Sequence, residues 1–187
     1  MTNSKSALAL VAAVLLALSG CGTSLERRND ELALRYLDPA NLIADNYAAA
    51  DALIGQASTR LTMEHPILVA TIVKIDDLNA SSTFGRVTSE NLASRFTQSG
   101  FRVVEMKLGA SIYMKRNEGE LVLTREIQSI AKMHDAQAII VGSYGVGSDS
   151  VMVNAKLVSP NEKNTVIAST DYSVRKVREI DVMLKGK

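Results

Sequence analysis

The chain has 187 residues, with 21 Lys and Arg against 20 Asp and Glu, a formal net charge of +1 at neutral pH, and no Trp. Both signs of charge are scattered, which leaves no electrostatic footprint for nucleic acid and no polybasic tract for reading a membrane surface. Aromatic residues make up 4%, too few for the ring faces on which a sugar or choline site depends.

Residues 1–20 carry one charge, Lys5, followed by an uncharged apolar run from Ala7 to Leu18. That run falls short of the roughly 20 apolar residues that span a bilayer and fits the roughly 7 to 15 of a secretory signal peptide. It ends in Leu18-Ser19-Gly20-Cys21, which resembles the lipobox of bacterial lipoproteins: a branched apolar residue, two small residues and the cysteine that receives lipid. Cys21 is the only cysteine, so an exported chain offers it no internal disulfide, and acylation supplies the role it otherwise lacks. A covalent diacylglycerol with an N-acyl chain on Cys21 is therefore expected, and no other cofactor. Cutting before Cys21 removes Lys5 and no acid, so the mature chain is neutral. Gly22, rather than Asp, follows the cysteine, which by resemblance to lipoprotein sorting signals directs the chain to the outer membrane.

Residues 21–38 are polar and charged with scattered leucines and read as a tether, with a flexible reach on the order of 20 Å. Asp38-Pro39 is expected to open a first helix over about 40–60, because Asp caps free amides and Pro at the first position loses no needed bond. Leu42, Ile43, Asn46, Tyr47, Ala50, Leu53, Ile54 and Ala57 recur along it at helical spacing. Pro66 precedes Ile67 to Val73, an almost unbroken apolar run expected to form one central strand covered on both faces. After the turn at Asp76-Asp77, Ser81 or Ser82 caps a second helix carrying Phe84, Val87, Leu92 and Phe96, closed by Gly100. Residues 101–105 form a second strand, and 107–120 are polar and irregular. A third helix is expected through Leu123, Ile127, Ile130, Ala131 and His134, then a third strand at 138–141.

The remainder alternates. Val151, Val153, Ala155 and Leu157 face one way and Met152, Asn154, Lys156 and Val158 the other, and alternation resumes at Val166, Ala168, Tyr172 and Val174. These read as antiparallel hairpin strands with one wetter face. Arg175, Lys176, Arg178, Lys185 and Lys187 form a basic patch, and residues 177–187 are expected to be a solvated tail. The fold class is α/β with a mixed β-sheet: βαβαβ with right-handed crossovers, then antiparallel strands. The organisation is 1–20 signal peptide, 21–38 tether, 39–62 helix, 63–176 α/β domain and 177–187 tail.

Chemistry is sparse. His65 and His134 are expected to be core or capping residues, and no metal-ligand spacing occurs. Residues 142–147 are glycine-rich, but they lead into another strand, whereas a phosphate loop must open a helix. Gly142-Ser143 lacks the preceding glycine of a nucleophile elbow. Asp76-Asp77, at the end of a strand where α/β folds place ligands, is the one candidate acid pair. A solvated turn is the simpler account of it. No catalytic or metal site is expected, and neither nucleic acid nor a small-molecule substrate.

Several blocks resemble the FlgO family of flagellar outer-membrane lipoproteins: Ser81-Ser82-Thr83-Phe84-Gly85-Arg86 with Ser89-Glu90, then Ala93-Ser94-Arg95-Phe96, residues 100–105, Gly119-Glu120-Leu121, residues 141–144 and residues 153–158. The resemblance covers about 65–174. It implies a periplasm-facing structural protein that supports motility, partnered by flagellar or other envelope proteins, without catalytic residues. It further implies a fold similar to the amino-terminal domain of TolB and to lipoproteins that activate peptidoglycan synthases. On the same basis the opening of the second helix, Ser82, Thr83 and Arg86, is expected to be a contact surface; read from the residues alone, Arg86 and Arg95 are helix-surface charges expected to be solvated. Competing readings are an activator of peptidoglycan synthesis, a secretion-pore subunit and a periplasmic hydrolase. The pore reading fits poorly, because the alternating strands carry Asn154, Lys156 and Asp171 and lack aromatic girdles.

Overall fold

The computed structural model describes residues 41–187 apart from 79–80, 107–111, 115–120, 124, 163–164 and 186–187. The signal peptide, the lipobox and the tether therefore lie outside the described residues, as does Asp38-Pro39.

Helix α1 spans Leu42–Ala57, and its cap is Asn41, whose side chain accepts from Ala44 N at 3.1 Å. Leu42, Asn46, Ala49, Ala50, Leu53 and Ala57 are buried on one face, whereas Ile43 is exposed. The expected single strand at 67–73 is two pieces, β1 (Ile67–Val69) and β2 (Val73–Lys74). The run breaks because Ile72 turns its N–H out of the ladder and donates it to the Ser89 hydroxyl of the next helix at 2.8 Å. That helix, α2 (Thr83–Gln98), is capped by Ser82 and followed by Gly100 at φ 92, as its sequence requires.

Strand β3 (Val103–Glu105) follows, and a short strand β4 (Ile112–Met114), inside the stretch expected to be irregular, pairs antiparallel with β5 (Leu121–Leu123) just beyond it. Leu123 thus belongs to a strand, and α3 begins after it, spanning Arg125–Met133. Strand β6 (Ala138–Val146) runs beyond the expected 138–141, taking in most of the glycine-rich stretch. The hairpin strands β7 (Ser150–Ser159) and β8 (Thr165–Arg175) complete the main sheet.

The sheet order is β3-β1-β6-β7-β8, with β2 also beside β6. β1 pairs parallel with β3 and β6, and β6, β7 and β8 pair antiparallel. The fold class is therefore mixed α/β, as the sequence pattern implied. Ile67, Val69, Ile140, Val153, Ala155 and Leu157 share one cluster with Leu53 of α1 and Phe84, Leu92 and Phe96 of α2. Leu68, Ile139, Val141 and Val158 point to the opposite face, under Ile127 and Ala131 of α3. Val158, expected on the wetter face, is fully buried there, while Met152 on the same face is 60% exposed because α3 does not extend over it.

The expected tail is instead helix α4 (Arg178–Lys185). Ile180 is buried in the first cluster with Met183 and Leu184 packed against it, a spacing of three and four that outweighs the basic composition. Lys176 anchors its start, with Nζ donating to the carbonyls of Gly147 and Ser148 and lying 3.7 Å from Asp181.

Candidate functional site

The residues that carry the most specific motif, Ser82 to Glu90, sit where α2 begins above the break between β1 and β2. Ser82 Oγ accepts from Gly85 N at 3.2 Å and from the Tyr144 hydroxyl at 2.7 Å. Ser89 Oγ donates to Gly85 O at 2.9 Å while receiving Ile72 N–H. Phe84 packs edge-on against Tyr144, with ring centroids 5.2 Å apart. At Gly85 a Cβ would lie 2.1 Å from Ile72 O, so only glycine lets the helix approach the strand this closely. Gly142 is equally constrained, since a Cβ there would lie 2.3 Å from Asn154 O.

The motif is therefore first a docking device for α2. Ser82, Phe84, Gly85, Thr88 and Ser89 point inward, and Ser82, expected on a contact surface, is buried. Thr83 and Arg86 remain outside, joined by Arg86 Nη2 donating to Thr83 Oγ1 at 3.1 Å. Sequence reading missed Tyr144 and Ser89 as members of this network. Ser82 and Ser89 are seven apart, two helical turns on one face, and that spacing was the available signal.

Arg95 is not simply solvated. Its Nε and Nη2 donate to the two carboxylate oxygens of Asp51 at 2.8 and 2.9 Å, and its guanidinium lies 5.7 Å from the Tyr47 ring centroid. The Arg95 hydrogen bond holds the Asp51 carboxyl below its ordinary range. This fork joins α1 to α2.

The histidines are not core residues. His65 Nδ1 lies 3.0 Å from Asp135, both side chains being well exposed, and His134 is exposed just beyond α3. Asp76 and Asp77 occupy an exposed turn, where Asp76 lies 3.7 Å from Lys74 Nζ and Asp77 N donates to Lys74 O. Among the described residues no three acidic, histidine or cysteine side chains gather as metal ligands, and no helix is long and apolar enough to cross a membrane. Cys21, Leu18, Ser19 and Gly20 lie outside the described residues.

The FlgO family profile, described as FlgO protein, matches residues 47–179, well over half of the chain. The chain belongs to the FlgO family. The match exceeds the 65–174 expected from motifs, taking in most of α1 and the start of α4. No curated protein matches by sequence. Among solved structures, the LpoB C-terminal domain from Salmonella enterica is similar at 16% identity and TM-score 0.51, covering 73% of this chain and 99% of that one. The same domain from Escherichia coli gives 17% identity and TM-score 0.44 over 68% and 98%. Lipoprotein GNA1162 from Neisseria meningitidis gives 16% and 0.38 over 61% and 82%. The Salmonella enterica match shows a shared fold for this FlgO-family chain.

Proposed function

We propose that this chain is an acylated outer-membrane lipoprotein that faces the periplasm and acts as a structural, non-enzymatic component supporting flagellar assembly or stability, and hence motility. Family membership across 47–179 is the observation that carries the reading. The lipobox Leu18-Ser19-Gly20-Cys21 supports the anchor, because lipid chains on one cysteine hold where no membrane-crossing helix is available among the described residues. Each buried methylene adds about 0.8 kcal/mol, so several chains give a stable attachment where one gives a marginal one. No cofactor besides this lipid, no small-molecule substrate and no nucleic acid enter the proposal, and the partners are flagellar or other envelope proteins.

A deletion strain scored for swimming and for attached flagella tests it. Loss of both, restored by the wild-type chain and not by Cys21→Ala, is expected; normal motility in the deletion would sink the proposal. The second reading is a lipoprotein that scaffolds or activates peptidoglycan assembly, favoured by the fold shared with an LpoB domain. Fold kinship alone does not carry function. Crosslinking that recovers a cell-wall synthase, with basal-body components absent, would select that reading.

A further inference from the structure

Two strands end the main sheet, and the structure treats them differently. On β8 the bonds to β7 come from even-numbered residues, since Lys176 N–H donates to Asp149 O in the same register. Odd-numbered residues therefore turn their N–H and C=O outward. At Ser169 both groups are taken by one side chain: Gln56 Oε1 accepts from Ser169 N at 3.2 Å and Gln56 Nε2 donates to Ser169 O at 3.0 Å. A register shift at Leu157/Val158 and the exposed carboxylate of Asp171 further spoil that edge. Plugs, bulges and charges of this kind suppress strand addition.

Edge β3 lacks them. Ile67 N donates to Arg102 O and Met106 N to Val69 O, so the even-numbered residues again face the neighbour, β1. Val103 and Glu105 turn their backbone groups outward, and among the described residues no strand pairs there. Beside this edge runs an open groove of about 490 Å³, lined by Ala93, Ser94 and Thr97 of α2 and by Val103 and Glu105. Small side chains on the helix wall leave room for a second backbone. Glu90 precedes Ser94 by one turn on the same helix line. Among the described residues neither Glu90 nor Glu105 has a cationic partner. Apart from Thr97, the lining residues fall within the blocks that carry the family resemblance.

We propose that the β3 edge and the α2 wall form a strand-addition groove for an extended, cationic segment of another envelope protein. An antiparallel guest exchanges both hydrogen bonds with Val103 and with Glu105. The guest residue opposite Glu105 shares its face and meets its carboxylate, which selects Lys or Arg; the residue two further on covers Val103, which selects an aliphatic side chain. The segment therefore reads Lys/Arg-x-aliphatic. This goes beyond the flagellar reading and rests only on its envelope location, which supplies the class of partner.

The test uses the isotopically labelled full chain in detergent micelles, titrated with a short blocked peptide containing Lys-Thr-Val and with its Glu-Thr-Val twin. Shifted and exchange-protected amides at Val103 and Glu105 are expected with the first peptide, and about tenfold weaker binding of the second. Glu105→Lys should reverse that preference. Glu105→Pro removes an outward N–H and no bond within the sheet, so it should abolish binding at an unchanged unfolding midpoint. Should that variant misfold, Ser94→Arg at an exposed helix position closes the same groove. Equal binding of the two peptides, silent amides at Val103 and Glu105, or wild-type binding by both blocking variants would overturn the proposal. So would self-association without peptide that Glu105→Pro abolishes, which would assign the groove to a second copy.

Discussion

Gly85 and Ser89 bind α2 to the sheet through contacts that no other side chain reproduces. Gly85→Ala should lower the unfolding free energy in a urea titration by about 3 kcal/mol, because its methyl must displace the Ile72 carbonyl. Ser89→Ala leaves the buried Ile72 N–H without its acceptor and should cost about 2 kcal/mol. Arg86→Glu, on the solvent side of the same turn, should change stability by less than about 0.5 kcal/mol. Tyr172 gives a pH signature. Burial, and then the nearby Asp45 carboxylate, push its phenol above the ordinary value of 10.0, and its hydroxyl donates to buried Asn46 Oδ1 at 2.6 Å. The unfolded chain ionises this group first. Its contribution is thus complete below pH 10 and is lost as the pH rises from there toward the folded value, a slope that Tyr172→Phe should remove from alkaline unfolding curves. What was legible at this scale was local: the Ser82 cap and the Gly100 stop follow from neighbouring residues. The Tyr144 hydroxyl on Ser82 joins positions 62 apart, and no local pattern encodes it.

Among elements, the sequence pattern located α1, β1, α2, β3, α3, β6, β7 and β8 to within a few residues and misread those where composition competes with periodicity. α4 passed for a tail because its bases draw attention away from Ile180, Met183 and Leu184, which share one face. Ile180→Ala should cost about 2 to 4 kcal/mol by calorimetry, the loss expected of a packed helix and not of a tail. The run 67–73 passed for one strand because hydrophobicity there serves two purposes, pairing up to Val69 and receiving α2 at Ile72. The start of α2 was half legible. The family resemblance singled out Ser82, Thr83 and Arg86, which neighbour one another on the first turn, but Ser82 turns its hydroxyl inward to Gly85 and Tyr144 while Arg86 is exposed, and only the packing tells them apart. The β3 groove left no such signal, since edge status depends on which strands finally pair.

At the scale of the whole molecule, both apolar clusters are built from Leu42 onward, three helices closing one face of the sheet and α3 part of the other. Cys21→Ala should therefore move the protein from the membrane to the soluble fraction of a cell lysate without altering its unfolding midpoint. A shifted midpoint would mean that the fold depends on its attachment. The proposal of export and acylation rests on a short contiguous stretch of sequence, whereas partner choice is a property of assembled surfaces.

The amide of Gln56, spent on both backbone groups of Ser169, has a consequence for stoichiometry. A sheet that accepts a guest strand on one flank and refuses it on the other is a terminator: the series ends with the first addition, and no fibre grows. Crowded at a membrane, where local concentration is high, such a protein stays discrete. Gln56→Ala would free both backbone groups of Ser169, and faster hydrogen exchange at the Ser169 amide of the variant is the expected sign that this flank has lost its plug.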